Sequence, residues 1–320
     1  MAEAKKNLNI FNIFFAGIQV ARPIHWIKNL SLFAALIFTQ TLFIPSYQIA
    51  VFWAFLAFNF ITSASYVFND ILDVKEDRLH PIKKYRPVAS GALPVSIAIA
   101  EVIILASISL YLAYFLHPIF FVLVVTYFVI QVLYSIFLKD VEVIDILVIA
   151  SGFILRVYAG AFVIDAHLSV WFLLCVISIA LFLASGKRRA ELNTIQEVKG
   201  VTRKSLTRYS KELLNSYVTM FGNAAWMSWA LFTFFESPRA ALPIWLFLAE
   251  ISKATTITKL LMITIPVAIF GIMRYEKLIF ADKSEAPEKL LLTDVSLVTS
   301  VGIWTFLVIS ILYSGISVNF

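Results

Sequence analysis

The sequence predicts an all-α fold: a polytopic membrane bundle of about nine transmembrane helices. Three observations predict it. Hydrophobic residues make up 61% of the chain and charged residues only 14%, with a mean hydropathy of +0.88, which excludes an ordinary soluble domain. Apolar runs near the roughly 20 residues of a spanning helix recur along the chain. Basic residues gather in alternate connections between those runs. The 29 Phe and seven Trp supply the aromatic load of lipid-facing and interfacial positions.

The N-terminus, Met1-Ala2-Glu3-Ala4-Lys5-Lys6, is short and polar, and no removable signal peptide is expected. Ala21-Arg22-Pro23-Ile24-His25-Trp26-Ile27-Lys28-Asn29 then introduces the first run, 29–45, which is short and ends at Pro45. Arg22 reads here as a topology-setting charge and Trp26 as an interfacial anchor. Lys28 stands directly before the apolar run and can reach into a cavity. The second run, 48–69, ends in an acidic and basic stretch, and the third is 95–116. The fourth, 118–137, opens at His117-Pro118, and the fifth is 142–163. The sixth, 168–186, follows Asp165-Ala166-His167, and 212–235, 256–273 and 295–316 complete the set. The stretch 238–254 is apolar enough for an interfacial segment or a partial insertion.

With nine spans, one side receives Lys5, Lys6, Arg22, Lys28, Lys75, Arg78, Lys83, Lys84, Arg86 and Lys139. It also takes the basic residues of 187–211 and 274–289. The other side holds only Arg239, Lys253 and Lys259. The bias predicts a cytoplasmic N-terminus and an outer C-terminus in a bacterial-type inner membrane. No soluble-domain-sized insertion interrupts the chain, so one integral domain over 1–320 is expected. Its functional connections, about 70–94 and 187–211, both face the cytoplasm.

The most informative stretch is Asn69-Asp70-Ile71-Leu72-Asp73-Val74-Lys75-Glu76-Asp77-Arg78-Leu79-His80-Pro81. Asn69, Asp73 and Asp77 recur every four residues and stack along one helical face. Three oxygen-bearing side chains in such a row suit a hard cation, above all Mg²⁺ shared with a phosphate-bearing substrate. Lys83, Lys84 and Arg86 place cations close by. The bland reading is a solvated helix end whose charges satisfy one another.

In the fifth run, Asp145, Gly152, Arg156 and Gly160 fall close to one face, with Arg156 about 16 Å deeper than Asp145. An ionised Arg at that depth should face an internal cavity with an anionic partner, and the flanking glycines leave space for a ligand. A structural Arg–Asp pair between helices is the simpler alternative. At the end of the sixth run, Ser185-Gly186-Lys187-Arg188-Arg189-Ala190-Glu191 suits charge-assisted contact with phosphate oxygens. Lys187 and Glu191 share a face there while Arg188 points elsewhere, and Arg189 reads as topogenic. No P-loop spacing, zinc-like His spacing or nucleophile arrangement is present. Cys175, the single cysteine, is expected to pack. No nucleic-acid partner is expected.

These residues resemble the UbiA superfamily of intramembrane prenyltransferases, in its polyprenyl-phosphate phosphoribosyltransferase branch. The resemblance rests on Asn69-Asp70-x-x-Asp73-x-x-x-Asp77 and Tyr134-Ser135-x-x-Leu138-Lys139. It extends through Ala21-Arg22-Pro23-x-x-Trp26-x-Lys28-Asn29, and through Asp77-Arg78-x-His80-Pro81-x-Lys83-x-x-Arg86-Pro87-x-Ala89-x-Gly91. Gly186-Lys187-Arg188-x-Ala190-Glu191-Leu192, Arg274-Tyr275 and Ala286-Pro287-Glu288-x-x-Leu291-x-x-Asp294 complete it. The superfamily's usual second acidic motif is missing after the sixth run, where the basic segment stands.

The resemblance implies a helical bundle around a central cavity open to the cytoplasm. It also implies transfer of 5-phosphoribose from phosphoribosyl diphosphate to a polyprenyl phosphate. Asn69, Asp73 and Asp77 would then hold Mg²⁺ on the leaving diphosphate. Lys28, Lys83, Arg86 and Lys139, with Tyr134 of the shared pattern, would meet the donor. Arg156, Lys187 and Arg188 would steer the lipid phosphate. The lipid tail would leave through an apolar opening between spans, and a homo-oligomer is compatible with the sequence. Two rivals are an aromatic prenyltransferase with a prenyl diphosphate donor, which suits the basic sixth–seventh connection poorly, and a non-catalytic lipid-phosphate carrier or transporter.

Overall fold

The computed structural model describes residues 10–80, 82–197, 208–236, 255–281 and 293–313. Its regular elements are all helical. A short apolar helix, α1 (Ile10–Ala21), comes first. A 3-10 segment, Pro23–Phe33, then runs into the five-residue α2 (Ala34–Phe38). The long helix α3 (Pro45–Leu72) is followed by the short α4 (Val74–Leu79) and then α5 (Val95–Leu116). Next come α6 (Pro118–Ile136), α7 (Ile144–Val163), α8 (Val170–Glu197) and α9 (Lys211–Phe235). A kinked 3-10 segment, Thr255–Thr264, leads into α10 (Ile265–Phe280), and α11 (Val295–Tyr313) is last.

Six of these helices are long and apolar enough to cross a membrane: α3, α5, α6, α7, α8 up to Leu192, and α11. This is an integral membrane bundle. α9 and α10 coincide with the runs 212–235 and 256–273 but are not among the six, so the count of nine spans stays an expectation. The first run needs correction. Its helical course begins at Pro23 rather than residue 29, and Pro23–Phe38 belongs with the shorter apolar helices. The reason is local: Pro23 opens the segment, and Asn29 is buried inside the bundle rather than marking its edge. The helix α1, apolar and bearing exposed Phe11, Phe14 and Phe15, is absent from the sequence reading. The 238–254 stretch lies outside the described residues.

Small side chains bring the helices close. Ala54, Ala57 and Ala64 of α3 are fully buried, and Ser109 of α5 donates its hydroxyl to the Ala57 carbonyl at 2.7 Å. Such small-residue faces are how membrane helices approach one another without a hydrophobic driving force. Leu32, Phe58, Ile61, Phe120 and Tyr127 form one core. Phe172, Cys175, Trp229, Phe232, Leu261 and Ile311 form a second, so Cys175 is a packed free thiol.

The bundle has two distinct ends. At one, His117 lies 3.3 Å from Asp165, Gln40 donates to the Leu312 carbonyl at 2.9 Å, and the Leu42 N–H donates to the Tyr313 hydroxyl at 2.9 Å. The other gathers the C-termini of α3, α6 and α8 and the N-termini of α5, α7 and α9. Each 28-residue helix, α3 and α8, is about 42 Å long, more than a hydrocarbon core of about 30 Å requires. Their last turns therefore stand at the water boundary, and the charged connections are built there.

Candidate active site

The α3–α4 junction organises the charged end. α3 stops at Leu72 with Asp73 as its cap, yet the bonding pattern continues: the Asp73 N–H reaches the Asn69 carbonyl and the Asp77 N–H the Asp73 carbonyl, at 3.0 and 2.8 Å. The four-residue row thus persists across a break, but its side chains divide. Asn69 donates to Asp73 Oδ2 at 2.9 Å, and Lys139 Nζ sits 2.5 Å from Asp73 Oδ1. Asp77 is engaged elsewhere, by Arg86 at 2.7 Å.

Arg86 also reaches Asp70 Oδ1 at 3.1 Å, and Arg22 meets the same oxygen at 2.5 Å. Asp70 is buried and its Oδ2 has no hydrogen-bond partner among the described residues. Asp70 and Arg22 were missed as site residues. The four-residue row steps over Asp70, and Arg22 was read as a topogenic charge. Arg22 in fact adopts a left-handed backbone, φ 53°, that turns its guanidinium over the Tyr66 ring and onto Asp70. Burial raises the Asp77 carboxyl above its ordinary value, with the Arg86 charge and hydrogen bond opposing the shift. His80, lowered by burial and by the Lys83 and Arg86 charges, accepts the Lys83 backbone N–H at 3.2 Å. Lys28 and Lys83 are both half-buried at this end.

The donor set fits Mg²⁺. Among the described residues no three His, Cys, Asp or Glu side chains converge as a metal cage. Mg²⁺ does not ask for one: it binds through one or two carboxylates plus substrate phosphates and waters. Asp73 and the Asn69 amide offer such oxygens at the edge of the bundle, and the Lys139 ammonium on Asp73 marks where positive charge is favoured.

A second ionic centre lies deeper. Arg188 of α8 is wholly buried, with Nε 2.6 Å from Asp145 Oδ2, Nη2 2.5 Å from the Tyr134 hydroxyl, and Nη1 on Glu191. The Tyr209 hydroxyl donates to Asp145 Oδ1 at 2.8 Å and accepts the Val143 N–H at 2.6 Å. Tyr209 gave no signal in sequence, being one aromatic in a polar connection. The expectation that Arg188 points away from Glu191 fails, because the i,i+3 spacing lets the two pair. Arg189, read as topogenic, is buried and donates to Asn215 Oδ1 at 2.5 Å. Lys187 is half-buried and has no hydrogen bond or ion pair among the described residues.

Arg156 is buried as expected for an intramembrane Arg, but its partners are neutral. It donates to Asn29 Oδ1 and the Gly152 carbonyl, both at 2.5 Å, and to the Tyr127 hydroxyl at 2.9 Å. The rings of Tyr127, Phe58 and Phe153 surround it at 4.9 to 5.7 Å. Among the described residues no carboxylate pairs with it: Asp145 lies eleven residues away on the same helix and pairs with Arg188 instead. The flanking glycines do not make ligand space either. A Cβ on Gly160 would lie 2.0 Å from the Leu32 carbonyl oxygen, so Gly160 admits the Pro23–Phe33 backbone.

The comparisons with known proteins follow this geometry. The sequence profile of the UbiA prenyltransferase family matches residues 29–253. The chain is 32% identical to the decaprenyl-phosphate phosphoribosyltransferase of Corynebacterium glutamicum, over 94% of this chain and 88% of that one. It is 35% identical to the Mycolicibacterium smegmatis protein of the same name, over 70% and 71%. In fold it resembles a UbiA homolog from Archaeoglobus fulgidus bound to GPP and Mg²⁺, with TM-score 0.66 and 19% identity over 95% of this chain and all of the other. A match spanning most of the chain, on a helical bundle of this architecture, places the protein among the enzymes of the UbiA prenyltransferase family.

Proposed function

We propose that this enzyme transfers 5-phosphoribose from phosphoribosyl diphosphate to a polyprenyl phosphate, releasing diphosphate. One observation carries the reading: the likeness to a decaprenyl-phosphate phosphoribosyltransferase runs along 94% of the chain. The site geometry supports it. Two phosphorylated substrates, one soluble and one lipid, need cations gathered at a membrane boundary, and Arg22, Arg86 and Lys139 converge there on exchangeable carboxylate contacts.

Asn69 and Asp73, with Asp77 one turn on, would hold Mg²⁺, whose contribution is charge neutralisation on the leaving diphosphate. Arg86, Lys83, Lys28 and Lys139 bind donor phosphates, while Lys187 attracts the lipid phosphate; Arg156, whose donors are spent on Asn29, Gly152 and Tyr127, holds the helices in place. Arg188 is a positioning residue in this reading, since its donors are spent on Asp145, Tyr134 and Glu191. An acceptor oxygen forms the bond to the anomeric carbon as diphosphate leaves with the electron pair of the C1–O bond. No general base is needed, because a phosphate monoester with second pKa near 6 is already largely ionised at neutral pH. Rate acceleration then rests on positioning and electrostatic stabilisation. The bias of basic residues supports an orientation of this end toward the cytoplasm, in an inner membrane, with one domain over 1–320.

The test is purified enzyme with polyprenyl phosphate and labelled phosphoribosyl diphosphate, with and without Mg²⁺. Metal-dependent label in the lipid phase is expected. Prenylation of an aromatic acid from a prenyl diphosphate, with no such transfer, would overturn the reading.

A further inference from the structure

The segment between α1 and α2 lies along α3 in a fixed register. Asn29 donates to Asn59 Oδ1 at 2.6 Å, and both side chains are fully buried. Trp26 donates its indole N–H to the Ser63 hydroxyl at 3.0 Å. The His25 and Tyr66 rings lie 5.4 Å apart, and the Arg22 guanidinium stands over the same Tyr66 ring at 5.2 Å. Arg22 then meets Asp70 Oδ1 at 2.5 Å. Asn59, Ser63, Tyr66 and Asp70 follow one another at helical spacing and so share one face of α3. The two stretches run antiparallel and keep pace. From Arg22 to Asn29 a 3-10 course rises about 14 Å, and from Asn59 to Asp70 an α-helix rises about 16 Å.

One hydroxyl is used twice in this register. Ser63, 1% exposed, accepts from Trp26 and donates to the Ala21 carbonyl at 2.9 Å. The two residues it joins stand on either side of Arg22, so the clasp closes around that turn. Arg22 has φ 53° and ψ 60°. Its own chemistry does not favour that backbone: a Cβ disfavours positive φ, and a residue before proline, here Pro23, prefers an extended conformation. Such a conformation persists only where its surroundings over-determine it. Glycine would make the turn at no steric cost, so an arginine here is explained by its side chain and not by the turn.

That side chain stands where the donor is bound. Arg22 and Arg86 share Asp70 Oδ1, at 2.5 and 3.1 Å, and Arg86 also holds Asp77 at 2.7 Å. The left-handed turn sets the direction of the first guanidinium. Relaxed to an extended backbone, Arg22 would leave the Tyr66 face and its place beside Arg86.

We propose that Ser63 is a positioning residue for phosphoribosyl transfer: its clasp on Ala21 and Trp26 holds the turn at Arg22 and aims the guanidinium at the phosphates of phosphoribosyl diphosphate. This rests on the phosphoribosyltransferase reading and adds to it one donor contact, Arg22, and the groups that aim it. Trp26 serves the same end, with its indole N–H turned inward onto α3.

The test is steady-state kinetics of the full-length enzyme carrying Ser63→Ala, Arg22→Gln, and the two together. Ser63→Ala should raise KM for phosphoribosyl diphosphate about tenfold, the order of one weakened hydrogen bond to a charged group. KM for polyprenyl phosphate should not move. In the Arg22→Gln background the same change should add nothing, because a residue that acts through Arg22 loses its effect once Arg22 is gone. Trp26→Phe opens the clasp from its other side and repeats the measurement if Ser63→Ala does not fold. An unchanged donor KM in the folded variant overturns the positioning role and leaves the transfer reaction standing. A rise that persists undiminished in the Arg22→Gln background overturns it too, as a structural effect, and so does an equal rise for both substrates. No transfer by the wild-type enzyme overturns the reaction itself and the positioning role with it.

Discussion

Two ion pairs with nearly the same separation behave as opposites. Lys139–Asp73, at 2.5 Å, keeps 11% and 9% of its side chains exposed; Arg188–Asp145, at 2.6 Å, keeps none. The first stands beside Arg22 and Arg86, whose side chains are 22% and 24% exposed and which share the Asp70 carboxylate. The second is closed by Tyr134, Glu191 and Tyr209. A partly exposed cation can trade a carboxylate for a phosphate at small cost, because water and neighbouring charges screen each step. A fully buried cation cannot, since separating it strands a charge in low dielectric. Electrostatics of one kind thus serves two ends: an exchangeable cluster that can receive anionic substrates, and a lock that holds the helices presenting it.

The connection between them is short. Lys139 lies in the Leu138–Asp140 turn between α6 and α7. Tyr134 before that turn and Val143 and Asp145 after it are tied by Arg188 and Tyr209. Val143 is held at φ 66°, a costly backbone for a β-branched residue that persists only where its surroundings over-determine it.

Breaking the lock has the largest expected effect. Arg188→Met leaves Asp145 buried and unpaired, a loss of about 3–5 kcal/mol. The expected result is a collapse in folded yield on size exclusion, with Asp145→Leu in the same chain restoring much of it. Restoration of fold without activity would sharpen the contrast, and full folding of Arg188→Met alone would break it. Next comes Asp73→Asn, which removes charge from the exchangeable cluster. Its turnover should fall about a hundredfold or more, with the thermal midpoint nearly unchanged. Retained turnover at saturating Mg²⁺ would remove Asp73 from the metal site.

That division was only half legible in the sequence. An all-helical membrane bundle followed from composition and the length of apolar runs, which are averages over many residues and tolerate local error. The charged end was legible because Asn69, Asp73 and Asp77 carry a period. Asp70 was hidden by the same period, being off the row. Arg156 announced itself by its depth, but its partner Asn29 lies 127 positions away and is neutral, so no charge pattern points to it. The lock was illegible for a related reason. Arg188 sits in a run of three cations that reads as a contact for phosphate oxygens, and only the approach of α7 and the Tyr209 segment shows that Arg188 is internal and spent on protein groups. α1 was missed because a polar N-terminus precedes it and a basic residue follows it.

Tyr209→Phe sharpens the comparison at smaller amplitude. It removes one hydroxyl that both donates to Asp145 and accepts from the strained Val143 N–H, leaving two buried polar groups short of a partner. A loss of about 1–3 kcal/mol is expected, read as a lowered thermal midpoint. Because the turn also carries Lys139, KM for phosphoribosyl diphosphate should rise more than KM for the lipid. Equal changes in both would make Tyr209 a purely structural clasp.

The smallest effect belongs to a third kind of pair, outside both regions. Arg274 grips Asp294 through two contacts, at 3.0 and 2.6 Å, and Asp294 also accepts the Leu297 N–H at 2.9 Å at the start of α11. These contacts hold the Asp294 carboxyl below its ordinary value. The sign follows: what the pair contributes is complete above the ordinary carboxylate range and fades as pH falls through the depressed value. Solvent screens it, so Arg274→Ala should leave the neutral-pH thermal midpoint almost unmoved and flatten only the acid limb of the pH–stability curve. A large neutral-pH loss would mean that exposure does not separate exchangeable from locking pairs in this molecule, and the contrast between Lys139–Asp73 and Arg188–Asp145 would need another cause.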